Sequence, residues 1–97
     1  MKKVYNRQGS LVGYVAGNVA YNSLGQILGY VEAGVVRNQS RSRVGYVKNN
    51  SVLDANGQIV GTFYNGKVKD QNHCDIGYAD SVVYQELSCA AALLTLF

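Results

Sequence analysis

Residues 20–34 read AYNSLGQILGYVEAG, and the same pattern returns every sixteen residues through most of the chain. Gly13, Gly29, Gly45, Gly61 and Gly77 stand sixteen apart without an insertion. Tyr14, Tyr30, Tyr46, Thr62 and Tyr78 follow them, and Val12, Leu28, Val44, Val60 and Ile76 precede them. Seven residues before each glycine stands Asn6, Asn22, Asn38, Asp54 or Asp70, and two before that Val4, Ala20, Val36, Val52 or Val68. An unbroken period of this kind marks repeated supersecondary units that share one core.

Each unit reads as a β-hairpin. An Asx residue followed three positions later by glycine (Asn6 to Gly9, Asn22 to Gly25, Asp54 to Gly57) suits a type I turn, since the side chain caps its own turn and glycine accepts positive φ. The first arm is short, as in Lys3 to Tyr5 or Ser51 to Leu53. The second, Leu11 to Ala16 or Ile59 to Tyr64, is rich in the Val, Ile and Tyr that strands favour. Gly17-Asn18, Ala33-Gly34, Asn49-Asn50 and Asn65-Gly66 supply turns between hairpins. In the second arm the apolar positions before and two after the glycine would face opposite ways in a regular strand. Either both faces are buried, or the glycine sits at a bulge that brings both to one side; the bulge is the expectation, with a neighbouring tyrosine covering the gap the glycine leaves.

The alternative is a solenoid of sixteen residues per coil, with parallel strands. The fold expected is all-β: ten strands in five sequential antiparallel hairpins around a pseudo-fivefold axis, with Val4, Ala20, Val36, Val52, Val68 and the five pre-glycine aliphatics facing the centre. Isolated hairpins are marginal in water, so the five must share that centre.

The period ends at Asp80-Ser81. With Ser81 as N-cap, the Ala/Leu-rich run to Phe97 predicts a helix from Val82 or Tyr84. It carries no charge after Glu86 and is too short for the ~20 residues of a bilayer span. Leu87, Ala90, Ala91, Leu94 and Phe97 share one face, expected to cap an open end of the ring. Leu93 and Leu96 share another, expected to meet a second copy or a protein partner.

Ninety-seven residues make one domain, repeats over 2–81 and helix over 82–97, able to bury roughly 60–65% of its unfolded surface. With 47% hydrophobic residues, eight tyrosines, eleven glycines and no proline, the chain is globular rather than disordered. A net charge of +3 falls short of a nucleic-acid-binding face. Two cysteines, Cys74 and Cys89, make no disulfide framework and have no zinc spacing. Free thiols, and an N-terminus without the apolar run of a signal peptide, point to the cytoplasm. No cofactor or metal is expected.

Two units depart from the pattern. The third carries a basic tip of Arg37, Arg41 and Arg43, which reads either as an oxyanion contact or as a solvated edge that discourages strand pairing. The fifth has Gln71-Asn72-His73-Cys74-Asp75 at its turn. Adjacent residues on an extended arm point apart, so His73 is badly placed to activate Cys74, and a decayed turn is the plainer account.

The five units resemble the five-fold β-flower, hairpin petals around a pseudo-fivefold axis found in small bacterial proteins. The likeness covers residues 2–81 and rests on the pattern V-x-N/D-x-x-G-x-L/I-V-G-Y-V, clearest at Val4 to Val15 and Val52 to Phe63. It implies the architecture and brings no catalytic or ligand residues with it.

Three functions follow in order. The first is a structural or interaction module that self-associates or docks a protein. The second is a small-ligand binder using Tyr14, Tyr30, Tyr46 and Tyr78 as a ring at one mouth of the axis. The third is an enzyme built on His73, Cys74, Asp75, Tyr84 and Glu86, and it is not expected.

Overall fold

The computed structural model describes residues 1–97. Ten strands alternate short and long. The short first arms are β1 Lys2–Asn6, β3 Val19–Asn22, β5 Val35–Asn38, β7 Ser51–Asp54 and β9 Lys67–Asp70. The longer second arms are β2 Leu11–Ala16, β4 Ile27–Glu32, β6 Arg43–Lys48, β8 Ile59–Tyr64 and β10 Asp75–Ala79. One helix, α1 Tyr84–Thr95, follows. Every strand pairs antiparallel with its neighbours in sequence, and β1 pairs with β10, so the sheet closes into a barrel without a free edge. The parallel ladders of a solenoid are absent. Closure itself is a feature the hairpin reading did not include; it satisfies the edge groups that separate petals would leave exposed.

Two rims hold the ring. At one, Asn6, Asn22, Asn38, Asp54 and Asp70 each accept two backbone N–H bonds on the side-chain oxygen: Gln8 and Ser10, Leu24 and Gln26, Ser40 and Ser42, Asn56 and Gln58, Asn72 and Cys74, at 2.8–3.0 Å. The fourth position of each turn has positive φ, which Gly9, Gly25 and Gly57 adopt without cost. Arg41 (φ 65°) and His73 (φ 64°) hold the same left-handed conformation with a Cβ. His73 has no compensating contact, so His73→Gly is expected to raise stability by about 1 kcal/mol. Arg41 stacks on Tyr30, so Arg41→Gly should gain less. Urea unfolding of both variants checks the order. The opposite rim carries the two-residue turns, each with its first residue at positive φ: Gly17, Ala33, Asn49 and Asn65.

Every hairpin has a register shift next to its glycine. Val4 pairs with Gly13 and Tyr5 with Leu11, leaving Val12 as the extra residue. The same step recurs between β3 and β4, β5 and β6, β7 and β8, and β9 and β10. The expected bulge is therefore present, with a different outcome for the core. Val4, Ala20, Val36, Val52 and Val68 are fully buried as expected. The second buried ring is Val15, Val31, Val47, Phe63 and Ala79, whereas Val12, Leu28, Val44, Val60 and Ile76 are only half-buried against it. The bulge turns the extra residue partly aside and leaves the position two after the glycine pointing inward.

Helix α1 does not cap an end of the ring. It runs through the lumen, touching strands all around the barrel. Twelve residues at 1.5 Å each give about 18 Å, close to the 19 Å short dimension of the molecule. Ser88, Cys89, Ala90, Ala91 and Ala92, all 0–1% exposed, form a thin shaft that fits inside the two rings of larger wall residues. Beyond them the helix carries large side chains, and there the wall is glycine. A Cβ on Gly13 would lie 2.9 Å from Leu93, on Gly77 2.7 Å from Leu94, on Gly61 2.8 Å from Thr95 and on Gly45 2.6 Å from Leu96, while one on Gly29 would overlap Phe97. Five consecutive residues thus serve five glycines in turn. The last two of the five, the C-cap Leu96 and the terminal Phe97, lie past the end of α1, so their positions are not bound to the helix's turn of about 100° per residue.

Two expectations are corrected here. The glycine gaps are filled by the helix and not by tyrosine rings. Leu93 is 6% exposed and packs on Gly13, and Leu96 packs on Gly45, so neither belongs to a helix face left free for an oligomer. A helix inside a barrel meets wall on every side, which is why it is apolar all round.

The candidate N-cap is also displaced. Ser81 Oγ accepts from Val83 N–H (3.1 Å) and donates to Glu86 (2.7 Å), while Val83 itself holds the cap position with no side-chain cap bond.

Candidate functional site

The lumen offers no ligand cavity, because α1 occupies it from Leu87 to Leu93 with every residue buried. The surface open to other molecules is the outer face and the two rims.

Tyr14, Tyr30, Tyr46 and Tyr78 follow inward-facing glycines and so point outward. They are spread around the waist instead of converging at a mouth, which removes the geometry of the proposed ligand ring. Three of them are covered by a neighbour, and the fourth, Tyr14, has Tyr21 opposite it in the ladder. Tyr78 stacks on Tyr5 across the closing ladder, centroids 5.0 Å apart. Arg41 lies over Tyr30 at 4.5 Å, Arg43 lies over Tyr46 at 5.6 Å, and Tyr14 pairs directly with Tyr21.

The basic tip is likewise engaged. Arg37 donates through Nη1 to the Arg41 carbonyl (3.1 Å), and Arg41 Nη1 is 3.5 Å from Glu32. With Arg41 and Arg43 held over rings, Arg41 near a carboxylate and Arg37 on a carbonyl, the three guanidinium groups do not form an open oxyanion cradle. The arrangement matches a solvated, stacked surface.

His73, Cys74 and Asp75 are exposed at the Asx-turn rim. Tyr84 donates from its hydroxyl to the Asn49 carbonyl at the opposite rim, and Glu86 bonds Ser81 there. The structure thus divides the five residues of the enzyme reading between two ends. No group of three or more His, Cys, Asp or Glu could hold a metal ion.

Cys74 and Cys89 are both unpaired. Burial pushes the Cys89 thiol from 9.0 up to about 12. The folded chain then keeps a proton that the unfolded chain releases, so this contribution is complete below about pH 9 and is lost as pH rises toward 12. The slope is about 1.4 kcal/mol per pH unit. Chemical denaturation from pH 8 upward should show the stability of the wild type falling relative to Cys89→Ala; parallel curves would remove the effect.

What remains is the rim of the two-residue turns, where the chain leaves β10 and turns into α1. There is no fifth two-residue turn, because Asp80–Val83 leads inward instead. Tyr64 (76% exposed), Val82 (68%), Val83 (56%) and Tyr84 (51%) stand on this inlet face. A hollow of about 260 Å³ lies among them, bounded by Asn50, Phe63, Tyr64, Val82, Tyr84 and Leu87. The free surface expected at Leu93 and Leu96 thus lies instead at Val82-Val83-Tyr84, an apolar run placed before the helix has entered the barrel.

No helix of the chain is long and apolar enough to cross a membrane. A family model described as 5-fold beta-flower protein matches residues 1–95. Neither a curated protein nor a solved structure matches the chain.

Proposed function

The chain belongs to the 5-fold beta-flower family, and from that premise we propose that it is a protein-interaction module that docks through its helix-inlet face onto a second copy of itself. In this reading the five sixteen-residue units act as equivalent petals of a pseudo-fivefold ring. The unique inlet marks one end of that ring and sets the polarity of docking. The carrying observation is the concentration of Tyr64, Val82, Val83 and Tyr84 on the one rim that the repeats do not close. Exposed apolar groups gathered around a shallow hollow are characteristic of protein contact sites. Two copies meeting through this face would be related by a two-fold axis. The unpaired thiols support the cytoplasm as the place where this occurs.

The test uses Val83→Asp. Val83 occupies the N-cap position without a cap bond, and aspartate is a favoured N-cap residue. The substitution should leave the fold intact or slightly more stable while placing a charge in the docking face. Sedimentation equilibrium is expected to give twice the 10.5 kDa chain mass for the wild type and the single-chain mass for the variant. A wild type that stays at single-chain mass up to millimolar concentration overturns the reading.

A further inference from the structure

The outer waist of the barrel is a belt of cross-strand rows, each centred on the residue after an inward glycine. The rows run Lys3–Tyr14–Tyr21, Val19–Tyr30–Arg37, Val35–Tyr46–Leu53, Ser51–Thr62–Lys69 and Lys67–Tyr78–Tyr5. Four rows contain at least one tyrosine. The row at Thr62 contains none and is polar from end to end. Where the ring is missing the surface is hollow: a depression of about 460 Å³ is lined by Ser51, Thr62, Lys67, Lys69 and the exposed edge of Tyr64, among others. That volume falls in the usual range for small-molecule sites.

We propose that this break in the tyrosine belt is a binding site for a phosphate monoester of a small sugar. Three features set the chemistry. Ser51 and Thr62 sit directly opposite one another in the ladder and both line the hollow, so it has two hydroxyl-bearing residues on its wall. Lys69 is directly opposite Thr62, and Lys67 stands two positions along the same strand, so two lysines of β9 border the hydroxyls on one side. Lys69 meets Asp75 only at a solvent-exposed 3.5 Å separation, and Lys67 has no carboxylate partner. Lysine acts on phosphate as a point charge, and the hydroxyls supply the directed bonds. Tyr64, 76% exposed at the border of the hollow, offers a flat face to the sugar ring. The contrast with the third unit is instructive. Its Arg41 and Arg43 lie over Tyr30 and Tyr46, whereas Lys69 is opposite Thr62 and has no ring there to cover.

The experiment titrates ribose 5-phosphate into isotope-labelled protein and follows the backbone amides by NMR, with ribose alone as the comparison. Saturable shifts at residues 51, 62, 64, 67 and 69 are expected with ribose 5-phosphate, weakened by added salt as exposed charge contacts are. Thr62→Tyr restores the belt residue and fills the hollow, and should abolish those shifts without lowering the melting temperature. Lys67→Met should weaken binding about tenfold. Tyr46→Thr, which opens the same gap between Val35 and Leu53, should create no second site. Tyr64 borders both this hollow and the docking face. Val83→Asp keeps every lining residue of the hollow and frees Tyr64, so it should bind at least as well as the wild type whether or not the wild type pairs, and this proposal and the docking reading fail separately. Absence of saturable shifts at millimolar ligand, equal shifts with ribose, or undiminished binding by Thr62→Tyr would each overturn the assignment.

Discussion

A chain ended at Asp80 is expected to lose the barrel altogether. The helix supplies seven residues buried from Leu87 to Leu93 and fills the space against the ten inward wall residues. Without it, Val4, Val36, Val52 and Val68 would line an open lumen. Burying an aliphatic side chain contributes about 1.5–3 kcal/mol, and a domain's whole stability is about 5–15 kcal/mol. Loss of a few such contacts is therefore enough. The wall cannot collapse to compensate, because ten strands closed by hydrogen bonds hold a diameter wider than their own side chains fill. The truncated chain should show no cooperative thermal transition, and a peptide of residues 81–97 added in trans should restore one. A chain ended at Asp80 that melts cooperatively on its own would show that the helix is an accessory and not the core.

The second large effect concerns the wall glycines, and it is graded. At each one an added Cβ meets both a side chain of the C-terminal segment 93–97 and a backbone carbonyl of the neighbouring strand: Tyr21 beside Gly13, Arg37 beside Gly29, Leu53 beside Gly45, Lys69 beside Gly61 and Tyr5 beside Gly77. A flexible leucine end can shift, but a carbonyl held in a ladder cannot move without breaking the ladder. Gly61 is the loosest, with Lys69 O and Thr95 Cγ2 both at 2.8 Å. Gly29→Ala should cost about 3 kcal/mol or more through overpacking and backbone displacement, Gly61→Ala clearly less. Gly29→Val should not fold, while Gln26→Val, at an exposed position nearby, should be mild. Equal unfolding midpoints for Gly29→Ala and Gly61→Ala would refute the packing account.

The exposed features were harder to read from the chain than the buried ones. Tyr78 and Arg41 look alike as candidate contacts in the sequence, yet one closes the barrel seam against Tyr5 and the other lies on Tyr30. Cross-strand neighbours on an outer face are set by register, and bulges shift register by a residue that spacing alone does not locate. The Thr62 exception was visible as a missing tyrosine. That it opens a hollow flanked by Lys67 and Lys69 depended on which strand lies beside β8.

By itself the sequence determined the period, the all-β antiparallel class, the two kinds of turn and the presence of a C-terminal helix. All of these are local: an Asx side chain capping its own turn, or a glycine at positive φ, acts within a few residues and leaves its mark in their order. The tertiary structure alone decided that the ring closes between β1 and β10 and that the helix lies inside it. Both depend on how wide ten strands stand when closed, a property of the whole sheet that no single unit carries. The glycine at Gly45 and the leucine at Leu96 are each unremarkable apart. Only when the helix is threaded through the barrel does each become the reason for the other.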